Sequence, residues 1–366
     1  MVEEEGTHLV AWTTTPWTLP SNLALCVNPD FGYVKLKDKS TQITYIVAEC
    51  RIEQVYPKKK AKKGEKVELA YELLGSMKGS ELKGKKYKPI FDYFLNEEKN
   101  GAFQVLNGTW VTNDSGTGVV HCAPGFGADD YDVCLQAGII TKTYCPSPVD
   151  DNGCFMSEIT DFVGLSVIEK ETETELKKSI KNKGRMVNMG TIKHNYPFCW
   201  RSATKLLYKA VPSWFVNVEK VRERLVENNK QTRWVPDFVG EKRFHNWLEG
   251  ASDWCISRNR FWGTPIPIWS NEDFTDFEVI GSLEELEEKT GHKATDIHRH
   301  KIDHLEIKSK KGNTLRRIDE VFDCWFESGS MPYSQQHYPF ENKERFENGY
   351  FPSDFIAEGL DQTRGW

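Results

Sequence analysis

The sequence predicts a mixed α/β fold in more than one domain, with a β-barrel-like first half edged by a few helices. Three observations carry this. The chain has 366 residues, more than one ordinary core holds at roughly 100–200 residues per domain. Hydrophobic residues make up 39% and charged residues 28% of it, the balance of a folded globular protein, which sets aside disordered and fibrous classes. The chain also changes character along its length. Nine of its twelve tryptophans lie at or after Trp200, whereas the first half has short β-branched segments separated by Gly, Pro, Asn and Asp.

Residues 42–47, 66–70 and 118–122 read as strands, and many short strands with turn signals favour a barrel-like sheet. After the strand at 118–122 a Pro124-Gly125 turn leads to a helix that opens near Asp129 and Asp130 and ends by Gly138. Residues 171–183 read as a second helix, with Leu176 and Ile180 four apart, Glu173 and Lys177 paired, and Gly184 as the stop. A third runs near 218–227, with Val218, Val221 and Leu225 on one face. Residues 271–318 are highly charged and read as an insertion rather than a core. The expected organisation is residues 1–196 as the first domain, 197–250 as a return segment and 251–366 as a second unit interrupted by that insertion.

No apolar run approaches the roughly 18 residues that cross a bilayer, and the acidic start is unlike a secretory signal. A cytoplasmic protein without a membrane partner is expected, and a monomer. The nine cysteines are odd in number and without a secretory context, so reduced thiols are expected. No Cys-x-x-Cys pair occurs, and Ser202 stands where a zinc knuckle that starts at Cys199 needs sulfur, so no metal site is expected. A formal net charge of −6 opposes nonspecific nucleic-acid binding, which calls for basic excess. The lysine cluster at 58–63 reads either as a solvated loop or as a local contact for RNA phosphates.

Two segments carry chemistry. In Trp12-Thr13-Thr14-Thr15-Pro16-Trp17-Thr18-Leu19-Pro20-Ser21-Asn22, two prolines without N–H donors prevent regular pairing. An irregular strand end with exposed hydroxyls is expected there, able to bind a ribose or hold a water, with indoles able to stack a base. Threonines chosen only for β propensity are the plainer reading. In Gly116-Thr117-Gly118-Val119-Val120-His121-Cys122-Ala123-Pro124-Gly125-Phe126-Gly127-Ala128-Asp129-Asp130-Tyr131, His121 closes a strand and the aspartates open a helix, so their side chains can converge across one turn. Aspartate is also an ordinary first-turn residue.

Taken together, about a hundred residues apart, the two segments resemble the editing domain of isoleucyl-tRNA synthetases. Related valyl and leucyl enzymes carry an arginine before the proline of the first segment, where Thr15 stands, and lack His at position 121. The resemblance continues through residues 199–202, 210–215, 256–267, 322–329 and 358–366. Phe126 and Ser202 look like the eukaryotic cytosolic branch, and neither is expected to affect the editing residues directly.

The resemblance implies hydrolysis of valine wrongly esterified to isoleucine tRNA, because a pocket built for isoleucine rejects valine by only about 1–3 kcal/mol, a limit for which this synthetase is a standard worked case. It implies Asp130 as the anchor of the aminoacyl ammonium and His121 as the wall that refuses isoleucine. Thr13, Thr14, Thr15 and Thr18 position the terminal adenosine and the attacking water, Asn22 supports that network, and Trp12 and Trp17 support the adenosine pocket. Direct attack by water is expected, since no nucleophile and base pair is legible. A noncatalytic tRNA-binding module on the same fold is the competing reading, and a fragment of valyl or leucyl specificity a further one. Residues 251–366 are expected to form a partial Rossmann-type half in which Trp325, Glu358, Asp361 and Gln362 lie near an aminoacyl-adenylate. Editing needs no cofactor, whereas ATP and Mg belong to the complete synthetase. The 366 residues contain neither the His-x-Gly-His nor the Lys-Met-Ser-Lys-Ser signature that stabilises charge on ATP during transfer. The chain is therefore expected to support no isoleucine-dependent exchange of pyrophosphate with ATP, and clear exchange by the purified chain would overturn this.

Overall fold

A computed structural model describes residues 1–57, 68–193 and 195–364 of the chain. The lysine cluster at 58–63, and residues 66 and 67 of the expected second strand, lie outside the described residues. The chain divides into two compact units, Met1–Val211 and Pro212–Trp366.

Among its described residues the first unit holds seven strands: β1 (Thr7–Leu9), β2 (Ala24–Val27), β3 (Gly32–Asp38), β4 (Thr44–Ala48), β5 (Tyr71–Lys78), β6 (Gln104–Asn107) and β7 (Val119–Cys122). They form a four-stranded sheet in the order β1-β4-β3-β5 and a three-stranded sheet in the order β6-β2-β7. All four residues of β2 are buried, as a continuous apolar run should be in a central strand covered on both faces. It pairs parallel with β6 and antiparallel with β7. The two sheets join where the chain leaving β1 makes a parallel bridge between Trp12 and Val120 of β7. Beside that bridge the Ala48 N–H at the end of β4 donates to the Thr117 carbonyl at 2.9 Å.

No ladder among the described residues joins β5 to β6, so the expected barrel is open and the sheets make half of one. Closure needs strands of consistent tilt and stagger all the way round, and between β5 and β6 the chain instead runs through a short helix at Gly79–Leu82 and a 3-10 turn at Leu95–Asn100.

Two longer helices complete this unit, α1 (Ala128–Gln136) and α2 (Lys170–Asn182). In α2 the buried side chains are Thr172, Leu176 and Ile180, the four-residue spacing that turns one face inward. That face packs against a 3-10 helix at Pro16–Ser21, which the sequence reading took for an irregular strand end. Leu176, Ile180 and Trp17 share one core with β2 and β7.

The second unit departs further from expectation. Its strands are β8 (Phe215–Val216), β9 (Trp254–Cys255), β10 (Ser257–Arg258), β11 (Ile268–Ser270), β12 (Phe277–Val279), β13 (Glu306–Lys308), β14 (Thr314–Arg317) and β15 (Val321–Phe322). Every ladder between them is antiparallel. A Rossmann-type half requires parallel strands linked by crossover helices, and that arrangement is not formed among the described residues. Instead the stretch read as a mere insertion has a core of its own. The sheet β12-β11-β14-β13 buries Trp269, Ile280, Leu286, Ile302, Ile307 and Leu315, and the Trp269 Nε1–H donates to the Leu305 carbonyl at 3.1 Å. The charge density of this region had hidden its regularly spaced apolar residues.

The helix expected near 218–227 starts later, as α3 (Arg222–Lys230), after a 3-10 turn at Glu219–Val221. Val221 is exposed. The buried residue of α3 is Asn229, whose amide donates to Gly240 and accepts from the Trp234 indole.

The corner at residues 117–118 is closely packed. Gly118 has φ +75°, and a Cβ there would lie 2.4 Å from the Ala48 Cβ. Gly118→Ala therefore combines left-handed strain with overpacking, and should lower the stability of the first unit by at least about 1–3 kcal/mol in urea unfolding.

Candidate active site

The Trp12–Val120 bridge lays the threonine segment alongside β7, one residue from His121. Between them opens a cleft of about 260 Å³. The threonine segment lines it with Trp12, Thr13, Thr14, Thr15 and Thr18, and the second segment with His121, Phe126 and Asp130. The loop before β7 and the start of that strand also contribute, from Thr112 and Ser115 to Val120. Thr13 and Thr15 are half-buried and Thr14 is exposed. The Thr13 Oγ1 accepts from the Thr15 N–H at 3.0 Å and lies 3.4 Å from the Thr15 Oγ1.

Thr18, one turn into the 3-10 helix, is buried and meets His121 at 2.8 Å, Oγ1 to Nε2. A hydroxyl this close to an imidazole resembles a nucleophile with its base, which sequence reasoning had not found. The rest of the network reverses that polarity. The Asn22 Nδ2 lies 2.9 Å from the Ala24 carbonyl and 3.1 Å from the His121 Nδ1. A carbonyl only accepts, so the amide must present its NH2 there, and its second hydrogen donates to Nδ1. His121 therefore carries its proton on Nε2 and donates to Thr18, whose own hydroxyl donates to the Thr15 carbonyl at 2.9 Å. In a Ser-His-Asp triad the third member accepts from Nδ1, which frees Nε2 to act as base. Here the third member donates, so both ring nitrogens are occupied. Burial lowers the His121 pKa to about 4, and the ring is neutral at pH 7.

Asp130 sits in the first turn of α1. Its Oδ2 accepts from the Ala123 N–H at 2.9 Å, across the turn that connects β7 to α1. Its Oδ1 has no hydrogen-bond partner among the described residues. Gly127 permits this approach, because a Cβ at that position would be 2.9 Å from the Asp130 Oδ2. Burial raises the Asp130 pKa to about 6, with the Asp129 charge adding to it and the Ala123 hydrogen bond opposing it. Asp129 is exposed and does not line the cleft. The nearby Cys122 is no alternative nucleophile, since its hydrogen bond with Cys26 and its full burial hold the thiol protonated.

Other expected residues take different places. Trp12 is 41% exposed at the mouth, where a flat ligand could stack on it. Trp17 does not face the cleft; it is buried and packs edge-on to Phe126, with centroids 4.9 Å apart. Phe126 itself was expected to leave the site untouched, and instead forms part of its wall. Asn22 stands behind His121 rather than in the cleft, with Tyr87 beyond it. Nothing local in the sequence marked Tyr87, because its contact spans 65 residues. The sequence reading did not single out the hydroxyls at 112 and 115. Trp325 is exposed just after the Asp323 N-cap, Glu358 lies exposed in a loop, and Asp361 and Gln362 occupy a single 3-10 turn at Leu360–Arg364.

Among the described residues, no group of three His, Cys, Asp or Glu side chains could hold a metal ion, and no helix is long and apolar enough to cross a membrane. All nine cysteines are free.

The model of the family tRNA synthetases class I (I, L, M and V) matches residues 5–366. Across all of its length the chain is 56% identical to the cytoplasmic isoleucine–tRNA ligase of Mus musculus, covering 28% of that protein. It is 54% identical to the probable cytoplasmic isoleucine–tRNA ligase of Dictyostelium discoideum, again over the full chain and 34% of that protein. The isoleucine–tRNA ligase of Bdellovibrio bacteriovorus is 50% identical, with 100% of this chain and 33% of that protein covered. The chain thus spans about a third of the length of the curated relatives it matches. The crystal structure of GlLeuRS-CP1 aligns with 52% of this chain and 87% of its own at 17% identity and a TM-score of 0.37, values too low to bear on fold or chemistry. With the family model covering nearly every residue and isoleucine–tRNA ligases as its relatives at half identity or more, the chain belongs to the class I tRNA synthetases, with the isoleucyl members.

Proposed function

We propose that the first unit hydrolyses the ester of valine wrongly attached to isoleucine tRNA, as the editing region of a cytoplasmic isoleucine–tRNA ligase. The observation that carries this reading is one cleft in which a carboxylate, a neutral imidazole and a run of threonine hydroxyls converge. The open Oδ1 of Asp130 suits the α-ammonium of an aminoacyl ester, a group that a bare tRNA end lacks. His121 is held by hydrogen bonds on both nitrogens, which suits a fixed wall against the extra methylene of isoleucine better than a proton carrier. Trp12 at the mouth offers a face to the terminal adenine.

The ester is already activated, so holding a water in line with its carbonyl supplies much of the rate. The hydroxyls of Thr13, Thr14 and Thr15 are the groups placed to hold it. No step needs a metal or a covalent intermediate, and ATP has no role in hydrolysis. ATP, Mg and the synthetic reaction belong to the complete ligase, and isoleucine tRNA is the macromolecular partner this reading requires. A noncatalytic tRNA-binding module would have no use for the elevated carboxylate and the ordered hydroxyls. Valyl and isoleucyl esters made on the same isoleucine tRNA decide the matter: loss of the valyl ester alone supports the proposal, and loss of neither sinks it.

Two variants test the roles. Asp130→Ala should lower kcat/KM for the valyl ester by roughly ten- to hundredfold, the worth of a hydrogen bond to a charged group. If Asp129→Ala did so instead, the two aspartates would be misassigned. The wild-type profile follows from the same charge. Asp130 must be ionised to hold the ammonium, and its pKa is raised to about 6, so log kcat/KM should fall with unit slope as the pH drops below 6. A flat profile between pH 5 and 7 would remove Asp130 from substrate binding. His121→Ala should open the pocket, so that correctly made isoleucyl-tRNA is hydrolysed as well. A variant that stayed selective while losing its rate would make His121 a base.

A further inference from the structure

Behind the cleft wall, a line of hydrogen bonds begins at a side chain that does not line the cleft. Tyr87 is 9% exposed, and its hydroxyl donates to the Asn22 Oδ1 at 2.5 Å. That hydroxyl is a fixed point. The Tyr87 N–H donates to the Phe103 carbonyl at 2.9 Å and its ring stands edge-on to Phe103, centroids 6.2 Å apart, so backbone and ring are both anchored beside β6. Asn22 has its two amide hydrogens committed to Ala24 and His121. The Tyr87 hydroxyl is the donor that its oxygen receives. With that donor present, every polar atom of the amide is used and its plane has one orientation. Without it the amide oxygen is left unpaired in a half-buried place, a state that costs more than the bond itself contributes, and the side chain swings to recover a partner.

We propose that Tyr87 is a positioning residue for specificity: its hydroxyl pins the Asn22 amide, and through it the His121 ring, so that the depth of the cleft is set by a group the substrate never touches. The proposal rests on the reading of the cleft as a valyl-ester pocket. Among the described residues two hydrogen bonds hold the His121 ring, Thr18 at Nε2 and Asn22 at Nδ1. Thr18 lies within the 3-10 helix Pro16–Ser21 that follows the threonine run, and Asn22 is the C-cap of that helix. Through Asn22 the ring is connected to Ala24 of β2 and, by the Tyr87 hydroxyl, to the segment beside β6.

The test is Tyr87→Phe in the full chain, which keeps the ring and removes only the donor. Two readouts separate positioning from mere support of the fold. Nitrogen-15 NMR of His121 should show, in the wild type, a neutral ring with Nε2 protonated and Nδ1 accepting a hydrogen bond. In Tyr87→Phe the Nδ1 resonance should move toward that of a free imidazole nitrogen. In parallel, the rate on isoleucyl-tRNA relative to valyl-tRNA should rise on the order of tenfold, with a smaller change on the valyl ester alone. An unmoved Nδ1 resonance or an unchanged ratio in the folded variant overturns the proposal. A wild-type ring protonated on Nδ1 overturns it whether or not the variant folds, because an amide N–H cannot donate to a protonated nitrogen. Should the wild type hydrolyse neither ester, the editing reading fails, while the nitrogen resonances still report whether Tyr87 holds the ring.

Discussion

The site depends on the seam where two sheet edges meet. The chain leaves β1, pairs for one residue with β7 at Trp12 and Val120, and then turns away at Pro16 into a 3-10 helix. That single parallel contact sets the register of the threonines against His121. A slip of one residue at this bridge would offset the threonines from His121 by about 3.3 Å. The seam is held from the other side by the Ala48 N–H on the Thr117 carbonyl, at a corner where only glycine fits. Packing from behind completes it, with Trp17 and α2 filling the space under the 3-10 turn. What joins the two sheets therefore also assembles the cleft.

The direction of the hydrogen bonds then decides what the assembled groups can do. Thr18 and His121 alone would suit acyl transfer to a threonine. The Asn22 amide, oriented by a carbonyl that can only accept, puts the proton on Nε2 and removes the base. With Cys122 buried and protonated, no side chain among the described residues of the cleft is paired with a base that could activate it, and under the proposed function the attacking group is water. Substituting an amide for the carboxylate of a triad thus changes the role of the imidazole from proton acceptor to rigid surface, with no change in its position.

The parts legible in the sequence were those governed by local rules. The α2 helix was recognisable from apolar spacing and its terminating glycine, and the strand before His121 from its β-branched run. The start of α1 was recognisable from a Pro-Gly turn and two aspartates. The motif pair singled out Thr13, Thr14, Thr15, Thr18, His121 and Asp130, which the structure brings to one cleft. Long-range pairing decided the rest. Whether a set of short strands closes into a barrel depends on stagger between β5 and β6, which lie far apart along the chain. Tyr87 reaches Asn22 only because the segment beside β6 folds back over the core. Phe126 was noticed as a departure, yet its place in the wall follows from its packing on Trp17, a contact no spacing rule supplies. In the second unit, resemblance suggested parallel strands, and the strands present are two to four residues long and pair antiparallel. Inside residues 271–318 the apolar core positions stand among charged neighbours, as Ile307 does between Glu306 and Lys308.

Two adjacent aspartates at a helix start are equivalent in sequence, and the structure separates them by direction. Successive residues on a helix point about 100° apart, so when Asp129 faces solvent Asp130 turns back over the β7–α1 turn. There, two effects on its charge oppose each other. A helix N-terminus and the Ala123 N–H both favour the ionised carboxylate, whereas burial disfavours it, and burial prevails, leaving the pKa near 6. An empty site therefore holds a carboxylate with one oxygen satisfied and the other short of a partner. A bound ammonium would supply both the missing donor and the opposite charge, so the strain on the free carboxylate becomes attraction for that group in particular. A more exposed aspartate would be ionised more readily but would gain less from the cation, and a fully buried one would be neutral at pH 7 and gain nothing. Half-burial, made possible by the glycine at 127, sits between these limits, and under the proposed function it suits the charged end of an aminoacyl group.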